Sequence, residues 1–108
     1  MTETHDIIAM LRAALPELKN EWPNRSLAVF GSRARDNANP DSDLDVLVEF
    51  NRPIGPSAFL SLEEKLAAIA GVRVDLVSAA ALEPYMGARI RAEAIALFDD
   101  YLADEKTR

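Results

Sequence analysis

The sequence predicts an α/β (α+β) domain, a small sheet covered by helices. Three observations carry that reading. Short apolar segments with strand-like patterning occur at 26–31, 43–50 and 72–77. Segments with helical spacing precede, separate and follow them. Glycine, proline and asparagine cluster where one kind of segment gives way to the other. The resulting order is helix, strand, loop, strand, helix, strand, helix, and a chain of 108 residues holds one such domain, 1–108.

Residues 5–20 read as an amphipathic helix, with Ile7, Ile8, Leu11, Ala14, Leu15 and Leu18 on its apolar side. Pro16 lies inside that pattern and is expected to kink or divide it, and Trp22-Pro23 closes the segment. SLAVFG, 26–31, is a short strand ending at Gly31. Residues 32–42, rich in Ser, Asn, Asp and Pro, form a loop that opens with a helical turn. DLDVLVEF, 43–50, alternates between two faces and directs Leu44, Val46, Val48 and Phe50 to one side.

After Pro53, Gly55 and Pro56 a second helix is expected from Ser57 to Ala70, with Leu60, Leu62, Leu66 and Ile69 apolar and Gly71 as its stop. VRVDLV, 72–77, is a third strand, with Val72, Val74 and Leu76 toward the core. The chain then reads as helix from Ala79 to Ala94. IALF, 95–98, suits either a continuation of that helix or a fourth short strand, and the tail YLADEKTR suits an exposed helix end or a partner contact.

Composition narrows the function. Hydrophobic residues make up 49% of the chain, enough for a packed core, and there is no cysteine, which excludes disulfides and thiolate metal sites. The opening residues lack the pattern of a signal peptide and no apolar run approaches the ~20 residues that cross a bilayer, so the cytoplasm is the expected location, with no membrane contact. A net charge of −6 disfavours direct nucleic-acid binding, which needs a basic footprint. Yet Arg25, Arg33 and Arg35 gather just before an acid-rich stretch, Asp36 to Asp45. Such a mixture suits either a self-neutralising solvated loop or a small anion carried with a divalent cation.

Asp43 and Asp45 stand two apart at the head of the second strand, which puts both carboxylates on one face. Two such charges repel, and a cation relieves them; hard oxygen ligands favour Mg²⁺. An EF-hand calcium loop does not fit, because its glycine position falls on Val46 and its bidentate glutamate on Arg52. Asp-x-Asp alone also marks ordinary loop-to-strand junctions. Upstream, Gly31-Ser32 ends a strand and opens a turn where backbone N–H groups can approach a phosphate. Ten residues separate Ser32 from Asp43, enough to lay a triphosphate beside a carboxylate-bound metal. Arg33 and Arg35 suit phosphate oxygens, or equally solvent or ion pairs with Asp36 or Asp41. Asp75, between Val74 and Leu76, joins the other acids if the second and third strands are neighbours; alternatively it is a charge guarding a sheet edge. Three clustered acids would hold two Mg²⁺ ions, one on the triphosphate and one on the attacking hydroxyl.

The stretch FGSRARDNANPDSDLDVLV, 30–48, resembles the signature of the DNA polymerase β-like nucleotidyltransferases: Gly-Ser, ten residues, Asp-x-Asp. The short chain and VDLV at 74–77 look like the MNT branch, the minimal nucleotidyltransferases paired with HEPN-domain toxins. The resemblance covers nearly the whole chain and implies a small mixed sheet packed against helices. It implies that Gly31 and Ser32 hold the triphosphate, that Asp43 and Asp45 are shared metal ligands, and that Asp75 is the third ligand and the base for the acceptor. Family members often read Gly-Ser-x-Ala-Arg-Gly, whereas position 36 here is Asp.

The function implied is Mg²⁺-dependent transfer of AMP from ATP to a tyrosine hydroxyl of a cognate HEPN toxin. Larger relatives carry extra domains that bind the acceptor; this chain has none, so its acceptor must dock as a separate molecule. The alternative is an antitoxin that neutralises its toxin by binding and occlusion without chemistry. The presence of all three acids favours the enzyme.

Overall fold

The computed structural model describes residues 3–35 and 42–99. Helix α1 (Thr4–Ala13) and helix α2 (Leu15–Glu21) are separate elements, divided as Pro16 requires. Pro16 sits in the first turn of α2, where its missing N–H leaves no helical hydrogen bond unmade. Strand β1 (Asn24–Phe30) follows, then β2 (Leu44–Phe50), helix α3 (Pro56–Ala70), β3 (Val74–Ser78), helix α4 (Pro84–Glu93) and β4 (Ile95–Asp99). The four strands form one mixed sheet in the order β3-β2-β1-β4. β1 is antiparallel to both β2 and β4, whereas β2 and β3 are parallel, with α3 as the connection between them.

The core lies on one face of this sheet. Leu27 and Val29 of β1, Leu44, Val46 and Val48 of β2, Leu76 of β3 and Leu97 of β4 are buried there. Ile7, Ile8 and Leu11 of α1, Leu18 of α2, and Leu62, Leu66 and Ala70 of α3 close over them. Each fully buried leucine contributes about 1.5–3 kcal/mol by leaving water. Trp22 pins the layers together by donating its indole N–H to the Ala58 carbonyl of α3 at 3.1 Å. Gly71 ends α3 in the left-handed conformation, φ +73°, and its N–H returns to the Ala67 carbonyl.

Four expectations need correction. Leu60 is 52% exposed: it precedes Leu62 by two residues, about 200° around the helix, and faces solvent when Leu62 and Leu66 face the sheet. β2 begins at Leu44, one residue after Asp43, and β3 begins at Val74. The helix expected from Ala79 is interrupted: a 3₁₀ turn, Ala79–Ala81, precedes α4. Pro84 forces Glu83 into an extended conformation, φ −64° and ψ 147°, and the helix can start only there. IALF resolves as strand β4, set against β1 and held from the helical side, where Arg12 donates to the Ala96 carbonyl at 2.8 Å and the Lys19 ammonium lies 4.7 Å from the Phe98 ring centre. Asp36, Asp41 and the tail after Asp99, on which the sequence also invited readings, lie outside the described residues.

Candidate active site

Because alternate residues of a strand face opposite sides, burying Leu44, Val46 and Val48 sends Asp45, Leu47 and Glu49 to the other face of β2. The same rule applied to β3, with Leu76 buried, sends Asp75 to that face. The parallel register then pairs Asp45 directly with Asp75, and the antiparallel register pairs Asp45 with Phe30, the residue before Gly31. Asp43 stands just before β2, exposed, and Leu44 is fixed by an N–H bond of 2.8 Å to the Arg73 carbonyl.

Gly31 completes this row. Its φ of +77° belongs to the left-handed region, where a side chain is strained. A Cβ at this position would also overlap Asp45 Oδ2 and lie 3.1 Å from its Cγ. The chain then makes one helical turn, with the N–H groups of Ala34 and Arg35 both 3.1 Å from the Gly31 carbonyl, so Ser32 stands at the start of a turn beside the Asp45 carboxylate.

The electrostatics follow from this crowding. Partial burial raises the Asp45 pKa above the usual aspartate range, and the charges of Asp75 and then Asp43 raise it further, against a lowering by Arg35. The donors are all carboxylate oxygens, and a divalent cation is the species that relieves such mutual repulsion, so the residues fit Mg²⁺. Among the described residues no three acidic or histidine side chains form a ready-made metal cage. That is the usual condition of a Mg²⁺ site, which takes part of its coordination from substrate phosphate and water.

The arginines divide. Arg33 is only 4% exposed; its Nε donates to the Ser42 carbonyl at 3.0 Å and its guanidinium lies 3.4 Å from the Thr4 hydroxyl. It bridges the two ends of the loop that carries Ser32 at one side and Asp43 at the other. Arg35 is exposed and pairs with Glu93 of α4 at 3.1 Å. Sequence reasoning missed Glu93, and it missed Glu63, whose Oε2 accepts the Leu76 N–H at 2.9 Å beside Asp75. No spacing rule signals either residue, because each contact depends on where a distant helix lands. A groove of about 600 Å³ lined by Phe50, Ile54, Phe59 and Ala80 lies at the other ends of β2 and β3, away from the acids.

The comparisons with known proteins agree with this fold. Residues 11–97 match the nucleotidyltransferase domain family. The protein adenylyltransferase MntA of Thermococcus cleftensis is 36% identical over 95 residues, covering 88% of this chain and 96% of that protein. A solved structure described as a minimal nucleotidyltransferase superposes with a TM-score of 0.74 at 35% identity, over 87% of this chain and 95% of the other. A complex of the tri-AMPylated HEPN toxin of Shewanella oneidensis with its MNT antitoxin shares the fold, with a TM-score of 0.66 at 20% identity, over 91% of this chain and 77% of the other. A sheet that brings Gly31, Asp45 and Asp75 together on the face opposite the core, in a sequence with these relatives, places the chain in the nucleotidyltransferase domain family, among its minimal, MNT-type adenylyltransferases.

Proposed function

We propose that this chain is an antitoxin that transfers AMP from ATP to a tyrosine hydroxyl of a HEPN-domain toxin. The observation that carries the reading is the row formed by Gly31, Asp45 and Asp75 on the face of the sheet opposite the core. Gly31 and Ser32 receive the triphosphate, because the turn after Gly31 brings backbone N–H groups close beside the Asp45 carboxylate. Asp43 and Asp45 would hold Mg²⁺, with Asp75 as the third ligand. The bound ions would neutralise phosphate charge and lower the pKa of the attacking hydroxyl. Arg33 braces the loop, and Arg35, exposed and held by Glu93 at one nitrogen, is the arginine that reaches phosphate.

In the transfer, the acceptor oxygen forms a bond to the α-phosphorus. The bond from that phosphorus to the α,β-bridging oxygen breaks, and pyrophosphate leaves with the electron pair. The hydroxyl proton passes to the Asp75 carboxylate, which is exposed. Among the described residues there is no separate acceptor-binding unit beside the sheet. Orientation of the hydroxyl by a docked partner would supply much of the rate. The names of relatives support AMP as the transferred group and a HEPN toxin as the acceptor.

The test combines purified protein, Mg²⁺, α-labelled ATP and a purified HEPN-domain toxin from the same genome. AMP additions on tyrosine, read by intact mass and fragment spectra, are expected. Asp43→Ala with Asp45→Ala should still bind the toxin and add nothing. If that variant neutralises the toxin in cells as well as wild type does, occlusion is the mechanism.

A further inference from the structure

Helix α4 is unusual among the helices in having no buried side chain. It is joined to the acid-bearing side of the sheet by two ion pairs near its end. Arg91 meets Glu49 of β2 at 2.9 Å, and Glu93 meets Arg35 at 3.1 Å. Arg35 belongs to the turn that begins at Gly31, its N–H bonded to the Gly31 carbonyl, and Gly31 in turn touches Asp45.

Both partners of the Arg35–Glu93 pair are nearly half exposed, 48% and 41%, so the pair adds little to stability. What it does is fix a long side chain. A guanidinium has five N–H donors in a planar fork, and the Glu93 contact occupies one nitrogen, Nη1. An arginine held by one edge presents its other edge without further loss of rotamer freedom.

We propose that Glu93 is a positioning residue for the nucleotide: by holding one edge of Arg35, it aims the remaining donors at a phosphate oxygen of bound ATP. The inference rests on the reading of Ser32, Asp43 and Asp45 as the ATP site and adds a member from α4, 58 residues beyond Arg35 in sequence.

Calorimetric titration of Mg²⁺-ATP into a set of variants tests it. Arg35→Ala should weaken binding by about ten- to a hundredfold, the range of a charge-assisted hydrogen bond. Glu93→Ala should weaken it by about three- to fivefold, and Glu93→Gln should recover most of that loss, because its amide oxygen still accepts from Nη1. In the double variant Arg35→Ala, Glu93→Ala the loss should equal that of Arg35→Ala alone, since a residue acting through Arg35 has nothing to position once Arg35 is gone. Melting temperatures should stay together across the set, which a merely structural role for Glu93 would not allow. Glu93→Ala binding as tightly as wild type or tighter, or losses that add in the double variant, overturns the proposal. The underlying site is judged separately: Asp43→Asn with Asp45→Asn must lose Mg²⁺-ATP binding, and if it does not, the site reading fails whatever Glu93 does.

Discussion

The Asp45 carboxylate occupies the space where a side chain at residue 31 would stand, so Gly31 and Asp45 are complementary halves of one contact between β1 and β2. Gly31→Ala therefore carries two penalties. One is the left-handed φ of +77°, about 1–2 kcal/mol for a residue with a Cβ; the other is displacement of Asp45. The melting temperature should fall and Mg²⁺-ATP binding should be lost. In Gly31→Ala, Asp45→Ala the overlap with Oδ2 disappears and only an ordinary contact with Cβ, 3.4 Å, remains. Melts of both single variants and the double should therefore show a smaller penalty for Gly31→Ala when Asp45 is already alanine. Equal penalties in both backgrounds would mean that the overlap is irrelevant.

Asp45 titrates abnormally, with burial and then Asp75 raising its pKa in the folded protein. A carboxyl whose folded pKa exceeds its unfolded value contributes stability while protonated, and that contribution is lost as pH rises through the folded pKa. In metal-free buffer at pH 7 the ionised group thus costs stability, and Asp45→Asn should melt higher than wild type. The gain is a fraction of the about 4–8 °C that 1 kcal/mol yields in a domain of this size, because solvent screens a partly exposed group. Melts in EDTA from pH 7 downward should show the gain shrinking as wild-type Asp45 takes up its proton. A gain that grows toward acid would refute the assignment of the strain to Asp45.

Asp75 divides binding from chemistry. It stands at the outer strand of the sheet, in register with Asp45 and exposed. Asp75→Asn should keep much of the affinity for Mg²⁺-ATP while transfer to the toxin drops by about 10²–10⁴-fold, the usual contribution of a positioned base. Parallel calorimetry and single-turnover labelling separate the two. Near wild-type transfer would remove Asp75 from the role of base.

Glu63 holds β3 from outside. Its carboxylate accepts the Leu76 N–H at 2.9 Å, on the strand that forms one edge of the sheet. Glu63→Ala leaves that donor without its partner and should cost about 1–3 kcal/mol. Glu63→Gln, which keeps an acceptor oxygen, should recover most of it in urea unfolding. Because Asp75 precedes Leu76, Glu63→Ala should also reduce transfer, whereas a variant that melts low but transfers normally would confine Glu63 to stability.

Much of this was legible in the sequence, and the residues say why. The period of two in 44–48 assigned Asp45 to the face opposite Leu44, Val46 and Val48, and the fold agrees. Pro16 marked the division of α1 from α2, and Gly71 the end of α3, because each acts through its own backbone. What stayed illegible depended on distant packing. IALF has the same composition as a helix end or a strand, and only the free edge of β1 decides the matter. Leu60 looked as apolar as Leu62, and only the helix phase separates them. Arg33 and Arg35 are chemically alike in sequence; the Ser42 carbonyl claims one and Glu93 the other. The overlap that Gly31 avoids is likewise a fact of two strands meeting, beyond what a Gly-Ser pair announces.

The sheet order has a consequence for the time course of folding. β1 and the two strands that carry the acids, β2 and β3, are complete by Ser78, in a continuous run of chain that needs only α3 to make its crossover. β4 joins the far side of β1, where Ala28 meets Ala96 and Val29 meets Ile95, so closing that pairing must wait for nearly all the intervening chain. Loop closure over such a separation is entropically slow compared with the hairpin-like pairing of β1 and β2. On a ribosome, then, the acid-bearing strands emerge well before β4, and β1 spends that interval with one edge bare. Newly made chains are at their most prone to pair with one another during that interval, before β4 arrives to cover the edge.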